Sequence, residues 1–122
     1  MKRAVLLVDH GSRRAEANAL LETLARALGS HVDRVVKTAH LEAAEPDIAQ
    51  GIDACVAEGA QAITVLPCFL APGRHTVADV PAQATAAAAR HPGVTVRVAE
   101  PLGSHPLVIE ILRARLAEAE GP

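Results

Sequence analysis

The 122-residue chain carries 12 lysines and arginines against 14 aspartates and glutamates, for a formal net charge of −2. That balance lacks the basic stripe of a nucleic-acid surface, and with one Phe and no Trp or Tyr there is almost nothing for bases to stack on. No apolar run approaches the ~20 residues of a membrane span, and the N-terminus enters a strand without a signal-peptide pattern. Half the residues are apolar, so one domain over residues 1–122 is expected, with a core that needs no disulfide. Cys55 and Cys68 have no paired spacing, which fits a reducing, cytoplasmic setting.

Arg3 to Val8 is a continuous apolar run, the pattern of a strand buried on both faces. It ends in Asp9-His10-Gly11-Ser12-Arg13-Arg14, a turn suited to starting a helix. Leu20, Leu21, Leu24 and Leu28 recur at helical spacing until Gly29. A second strand is expected over Val32 to Thr38, ending near His40-Leu41-Glu42. Pro46 is expected to open the next helix, where its missing N–H costs nothing. Ile48, Ile52 and Val56 line that helix, and Gly59 ends it. The third strand, Ala62 to Leu66, leads into a loop through Pro67, Pro72, Gly73 and His75 to Pro81. Such a loop exceeds the ~2–6 residues usual between strand and helix, and overlong loops are commonly functional. An Ala-rich helix follows, narrow enough to pack close to the sheet, until His91-Pro92-Gly93. Val94 to Val98 forms a fourth strand. After Pro101 to Pro106 a last helix is expected to turn Leu107, Val108, Ile111, Leu112 and Leu116 inward.

This alternation specifies an α/β fold: a four-stranded parallel sheet with helices on both faces and right-handed crossovers. By analogy with flavodoxin-like sheets the strand order is 2-1-3-4, and ligands bind beyond the carboxyl ends of the strands, where the order reverses. That rule sorts the histidines. His31 and His91 precede strands and fall at the far edge. His10, His40, His75 and His105 follow strands and share the ligand edge. Adjacent first and third strands bring His10 and His75 together, and imidazole is a common ligand for Co²⁺, Ni²⁺, Fe²⁺ and Zn²⁺. Two imidazoles leave a shell incomplete, which suits a metal that is passed on rather than a structural zinc.

Glu42, beyond the second strand, is in reach of His10; the alternative for Glu42 and Glu45 is a pair of acids favoured at a helix start. Cys68 reads as an inert thiol among apolar neighbours. Arg13, Arg14 and Arg74 stand near the histidines and can host carboxylates, although solvated arginines are the plainer reading. Pro67, Phe69, Leu70 and Pro72 add an apolar wall. An apolar ligand with anionic arms fits such an edge. His40 and His105 are either supports for the metal ligands or plain loop residues.

With these blocks in order, His10-Gly11-Ser12-Arg13, Leu41 to Pro46, Leu66 to Leu70, Gly73-Arg74-His75, Asp79-Val80-Pro81 and Pro101-Leu102-Gly103, the chain resembles the class II chelatases, specifically the small sirohydrochlorin type. The resemblance runs almost end to end. It implies insertion of Co²⁺ or Fe²⁺, with Ni²⁺ a further candidate, into sirohydrochlorin on the route to cobalamin or sirohaem. It puts the metal-binding pair on His10 and His75, puts the active-site glutamate on Glu42, and implies the homodimer of the one-lobed members. Arg13, Arg74, Phe69 and Leu70 are then expected to hold the tetrapyrrole. The chain departs at Asp9, where the family usually has Gly, and the added carboxylate leaves metal preference open. The histidine-rich tail of some short members is not in this sequence.

Metal insertion displaces two pyrrole protons, so a metal holder and a proton acceptor are needed. His10 and His75 supply both, with Glu42 assisting. No organic cofactor or nucleotide is expected, and the Gly-rich phosphate loop of an ATP-driven chelatase is not present. A metal or tetrapyrrole carrier using the same histidines is the main alternative. A histidine phosphatase is a second, against which the charge of Asp9 counts, since it would repel a phosphate.

Overall fold

Strand β1 (Arg3–Asp9) is buried continuously from Ala4 to Val8, because helices cover it on both sides. The computed structural model describes residues 1–71, 73 and 78–122. Strands β2 (Val35–His40) and β3 (Ala62–Pro67) pair in parallel with β1, and β4 (Thr95–Val98) adds to β3. The order is β2-β1-β3-β4, as expected by analogy with flavodoxin-like sheets. Helices α1 (Ala15–Gly29), α2 (Ile48–Ala57), α3 (Asp79–Ala88) and α4 (Val108–Glu120), with a 3-10 turn at Leu102–Ser104, complete the described chain.

Alternation along β1 splits the core. Ala4, Leu6 and Val8 face α2 and α3, packing with Ile52, Ile63, Val65 and Ala84. Val5 and Leu7 face α1, against Leu21 and Ala25. Each fully buried large aliphatic contributes roughly 1.5–3 kcal/mol, so the α2–α3 side holds most of the stability. Ala84 and Ala87 of α3 are buried as the narrow-helix reading expects. Pro81 lies in the first turn of α3, where a missing N–H breaks no helical hydrogen bond.

Several boundaries differ from expectation. β2 begins at Val35 and runs through His40, so His40 is a buried strand residue rather than a loop residue. Pro46 does not open α2. Asp47 caps it through a reciprocal box with Gln50 (Gln50 N–H to Asp47 Oδ1, Asp47 N–H to Gln50 Oε1, both 2.8 Å). The Pro46 carbonyl instead accepts from His40 N–H. On α1 the buried residues are Leu21 and Ala25, while Leu20 and Leu24 are exposed.

The largest correction is α4. The apolar residues Leu107, Ile111, Leu112 and Leu116 are exposed, Val108 is half-buried, and no residue of the helix is buried. An apolar stripe needs a surface to lie on, and α4 packs chiefly on the 3-10 turn, not on the sheet.

At the edge opposite the ligand side, Asp53 of α2 accepts from Arg90 Nη2 (2.6 and 2.8 Å) and His91 Nε2 (2.7 Å). His91 thus has a carboxylate partner at this edge. The His91 hydrogen bond above all, against the cost of burial and with help from Arg90, holds the Asp53 carboxyl below its usual range. A depressed pKa adds stability above the unfolded carboxylate range and loses it as pH falls through the folded value. Asp53→Asn is therefore expected to destabilise the protein near neutral pH, by at most about 1 kcal/mol because solvent screens the pair. Urea titrations of both proteins should converge as pH drops below the carboxylate range.

Candidate functional site

Three loops meet beyond the carboxyl ends of β1, β2 and β3. The β1–β2 pairing continues past the strands: Leu41 N–H donates to the Asp9 carbonyl (2.9 Å) and Glu42 N–H to the His10 carbonyl (3.0 Å). Glu42 is therefore held beside His10 by backbone bonds, with its side chain exposed. Gly11 makes this approach possible. Its φ is +86°, and a Cβ there would lie 1.8 Å from the Glu42 carbonyl oxygen. Ala43, immediately after Glu42, also sits at positive φ (68°), a conformation costing a non-glycine residue on the order of 1 kcal/mol.

From the other side, Cys68 N–H donates to the Val8 carbonyl (2.6 Å), extending β3 along β1. This sets the Phe69 ring against His10, with centroids 4.7 Å apart and planes tilted by 36°. The 3-10 turn then docks on the same loop, Leu102 N–H to the Phe69 carbonyl (3.1 Å) and Gly103 N–H to that of Leu70 (2.8 Å). A Cβ on Gly103 would stand 1.9 Å from the Leu70 oxygen. Leu70, Ala71, Pro101, Gly103 and Val108, with Glu100 and Ser104, line an open cavity of about 440 Å³.

Asp9 is not a free carboxylate. Its Oδ1 lies 2.5 Å from Nδ1 of His40, directly across the β1–β2 register. His40 is 3% exposed, and because a carboxylate only accepts, the proton sits on Nδ1. This pair was legible only as two unassigned residues, since facing them requires the register of the strand ends.

Arg13 is exposed in the β1–α1 loop, which Ser12 and Asn18 brace (Ser12 N–H to Asn18 Oδ1, 2.9 Å; Asn18 Nδ2 to the Ser12 carbonyl, 2.7 Å). Glu45 accepts from Gln50 Nε2 (2.8 Å) and belongs to the start of α2. His105 is exposed, and its Nδ1 accepts Leu107 N–H (3.1 Å) within its own turn. His31 is exposed at the far edge. His75, Arg74 and Pro72 lie outside the described residues. Among the described residues no three His, Cys, Asp or Glu gather as a metal-binding group. What the loops bring together is His10, Glu42, Phe69 and the Asp9–His40 pair.

Burial, with the Asp9 charge adding, pushes the Cys68 thiol up to about 11. A thiol so rarely ionised is a poor metal ligand at neutral pH. Cys68 should react with a maleimide near pH 8 about 100-fold more slowly than an ordinary thiol, measured by mass spectrometry.

The CbiX family model matches residues 4–119. The chain belongs to the CbiX family. This CbiX-family chain is 37% identical over 113 residues to the sirohydrochlorin ferrochelatase of Arabidopsis thaliana chloroplasts, covering 92% of this chain and 50% of the relative. It is similar in structure to the sirohydrochlorin chelatase SirB of Bacillus subtilis subspecies spizizenii, solved in complex with cobalt (TM-score 0.86, 33% identity, 95% of this chain and 50% of that one). It is also similar to a CbiX protein of Marinobacter aquaeolei (TM-score 0.83, 34% identity, 96% of both chains). The chain spans about half the length of the first curated relatives it matches.

Proposed function

We propose that this lobe inserts a divalent metal, Co²⁺ or Fe²⁺ with Ni²⁺ a further candidate, into sirohydrochlorin on the route to cobalamin or sirohaem. The observation that carries the reading is the convergence of His10, Glu42 and Phe69 at the carboxyl edge of a CbiX-family sheet. In this reading the metal is a substrate held by His10 and His75. As it enters the macrocycle, its bonds to the two imidazoles break and bonds to the four ring nitrogens form, two pyrrole N–H bonds break, and the released protons pass to the freed imidazoles with help from Glu42. Phe69 and Leu70 offer the apolar macrocycle a wall, and Arg13 and Arg74 pair with its carboxylate arms. Asp9 and His40 lock the ends of β1 and β2 and so fix where His10 starts. Residues 1–122 act as one lobe, and a homodimer supplies the second. A cytoplasmic setting fits its unpaired thiols, and among the described residues no helix is long and apolar enough to cross a membrane.

The test is anaerobic absorbance spectroscopy of sirohydrochlorin with each metal and catalytic protein. Insertion well above the protein-free rate is expected. Stoichiometric retention of metal or pigment without turnover would replace the enzyme with a carrier.

A further inference from the structure

A metal-binding histidine ordinarily donates its second ring nitrogen to a carboxylate or carbonyl, and that bond fixes the ring. Among the described residues the histidine rings that form hydrogen bonds are those of His40, His91 and His105, and His10 is not one of them. The contact that sets its plane is the Phe69 ring, 4.7 Å away between centroids. Phe69 is half-buried and packs against the α2–α3 core as well as against His10. Whatever holds Phe69 therefore aims His10.

The Phe69 backbone is held by the turn that follows β4. The last bond to β1 is that from Cys68 N–H to the Val8 carbonyl. Beyond it, among the described residues, the bonds come from the turn: Leu102 N–H to the Phe69 carbonyl (3.1 Å) and Gly103 N–H to that of Leu70 (2.8 Å). The turn is itself braced. Ala99 N–H donates to the Val65 carbonyl (2.9 Å) at its entry, His105 N–H closes it on the Leu102 carbonyl (3.0 Å), and Ser104 Oγ reaches the Pro101 carbonyl (3.2 Å). Gly103 shows that the contact is what this position serves. Its φ lies outside the left-handed region that calls for glycine, so the local backbone would accept an L side chain. The loop is what excludes one, because a Cβ would stand 1.9 Å from the Leu70 oxygen and 2.7 Å from its carbonyl carbon.

We infer that the Leu102–Gly103 turn is a positioning element for His10, acting through Phe69, with the role of His10 itself taken from the proposed function. Two backbone bonds fix the Phe69 and Leu70 carbonyls, the Phe69 ring follows its backbone, and the imidazole rests on that ring. A ring aimed in advance spares the reaction the search for its orientation, and a misplacement of about 1 Å costs on the order of 10²-fold in rate. The same bonds fix the point at Leu70 from which the chain sets out toward His75.

Leu102→Pro tests this. Leu102 begins the 3-10 turn, and Pro101 before it has φ −62° and ψ 163°, a backbone that accepts a following proline. The substitution removes the N–H that Phe69 receives, whereas Leu102→Ala gives up the same side chain and keeps that donor. Positioning is read from the histidine Cε1–H resonances in a ¹H–¹³C NMR spectrum at one fixed pH, with His10 assigned by its loss in His10→Gln. In Leu102→Pro and in Gly103→Ala the His10 resonance should move toward its place in Phe69→Leu, which has no ring to shield it. The resonance of His91, held by Asp53 at the far edge, should stay. Relative to Leu102→Ala, kcat for metal insertion should fall about 10–100-fold in Leu102→Pro, with a smaller change in KM. A His10 resonance unmoved in Leu102→Pro overturns the inference, and so does a moved resonance with kcat unchanged. Movement of His91 as well, or loss of the fold in both variants, makes the turn a general brace and also overturns it. Wild-type protein that inserts no metal, with the His10 resonance still moving as expected, supports the aiming of His10 and overturns the proposed reaction instead.

Discussion

His10→Ala is expected to lower the rate of metal insertion by about 10²–10⁴-fold, the range for removing a positioned proton-transfer group, and His75→Ala by a similar factor. His10 follows the most buried strand of the sheet, its carbonyl is tied to Glu42, and its ring rests on Phe69. The side chain itself holds up little of the fold, so the variant should lose activity without much stability. In the proposed scheme His10 holds the metal and also takes a pyrrole proton, so its loss removes two contributions together. Phe69→Ala keeps both histidines and should act mainly through KM for the tetrapyrrole. The check is the anaerobic insertion assay beside a urea titration. A His10→Ala protein that keeps most of its rate sinks the divided-site reading, and one that unfolds would recast His10 as structural.

Gly11→Ala should destabilise the protein by about 1.5–3.5 kcal/mol and depress insertion as well. Two effects add. The φ of +86° costs an L residue about 1–2 kcal/mol. The new Cβ, 1.8 Å from the Glu42 carbonyl oxygen, forces the β1–α1 and β2–α2 loops apart and breaks the Glu42-to-His10 backbone bond, worth about 0.5–1.5 kcal/mol. Gly93 provides the control, because its φ is +90° with nothing within 4 Å of a built Cβ. Gly93→Ala therefore carries only the conformational cost and should leave activity intact. If urea midpoints for the two variants coincide, the close approach of the loops is not what Gly11 is for.

The architecture was legible because its signals are local. Buried-strand runs, helical spacing and glycine stops repeat four times, and that alternation admits few topologies. The edge rule then carried His10, Glu42 and Phe69 to one place before any coordinates. Boundaries were less legible where two local signals competed. Pro46 looked like a helix start, but Asp47 with Gln50 makes the stronger cap, and the Pro46 carbonyl goes to His40 instead. His40 looked like a loop residue until the register placed it opposite Asp9.

By itself the sequence determined the parallel α/β sheet and the family, because each follows from periodicity or from short contiguous motifs; the strand order, and with it the edge on which the chemistry-bearing residues lie, follows from analogy with flavodoxin-like sheets. Only the tertiary structure decided that the Asp9 carboxylate is engaged by His40, that Gly11 seats one loop on another, and that α4 leaves its own sheet face bare. Those outcomes depend on distances between segments far apart in the chain. An apolar stripe records that a helix has a partner surface, and says nothing of which molecule supplies it.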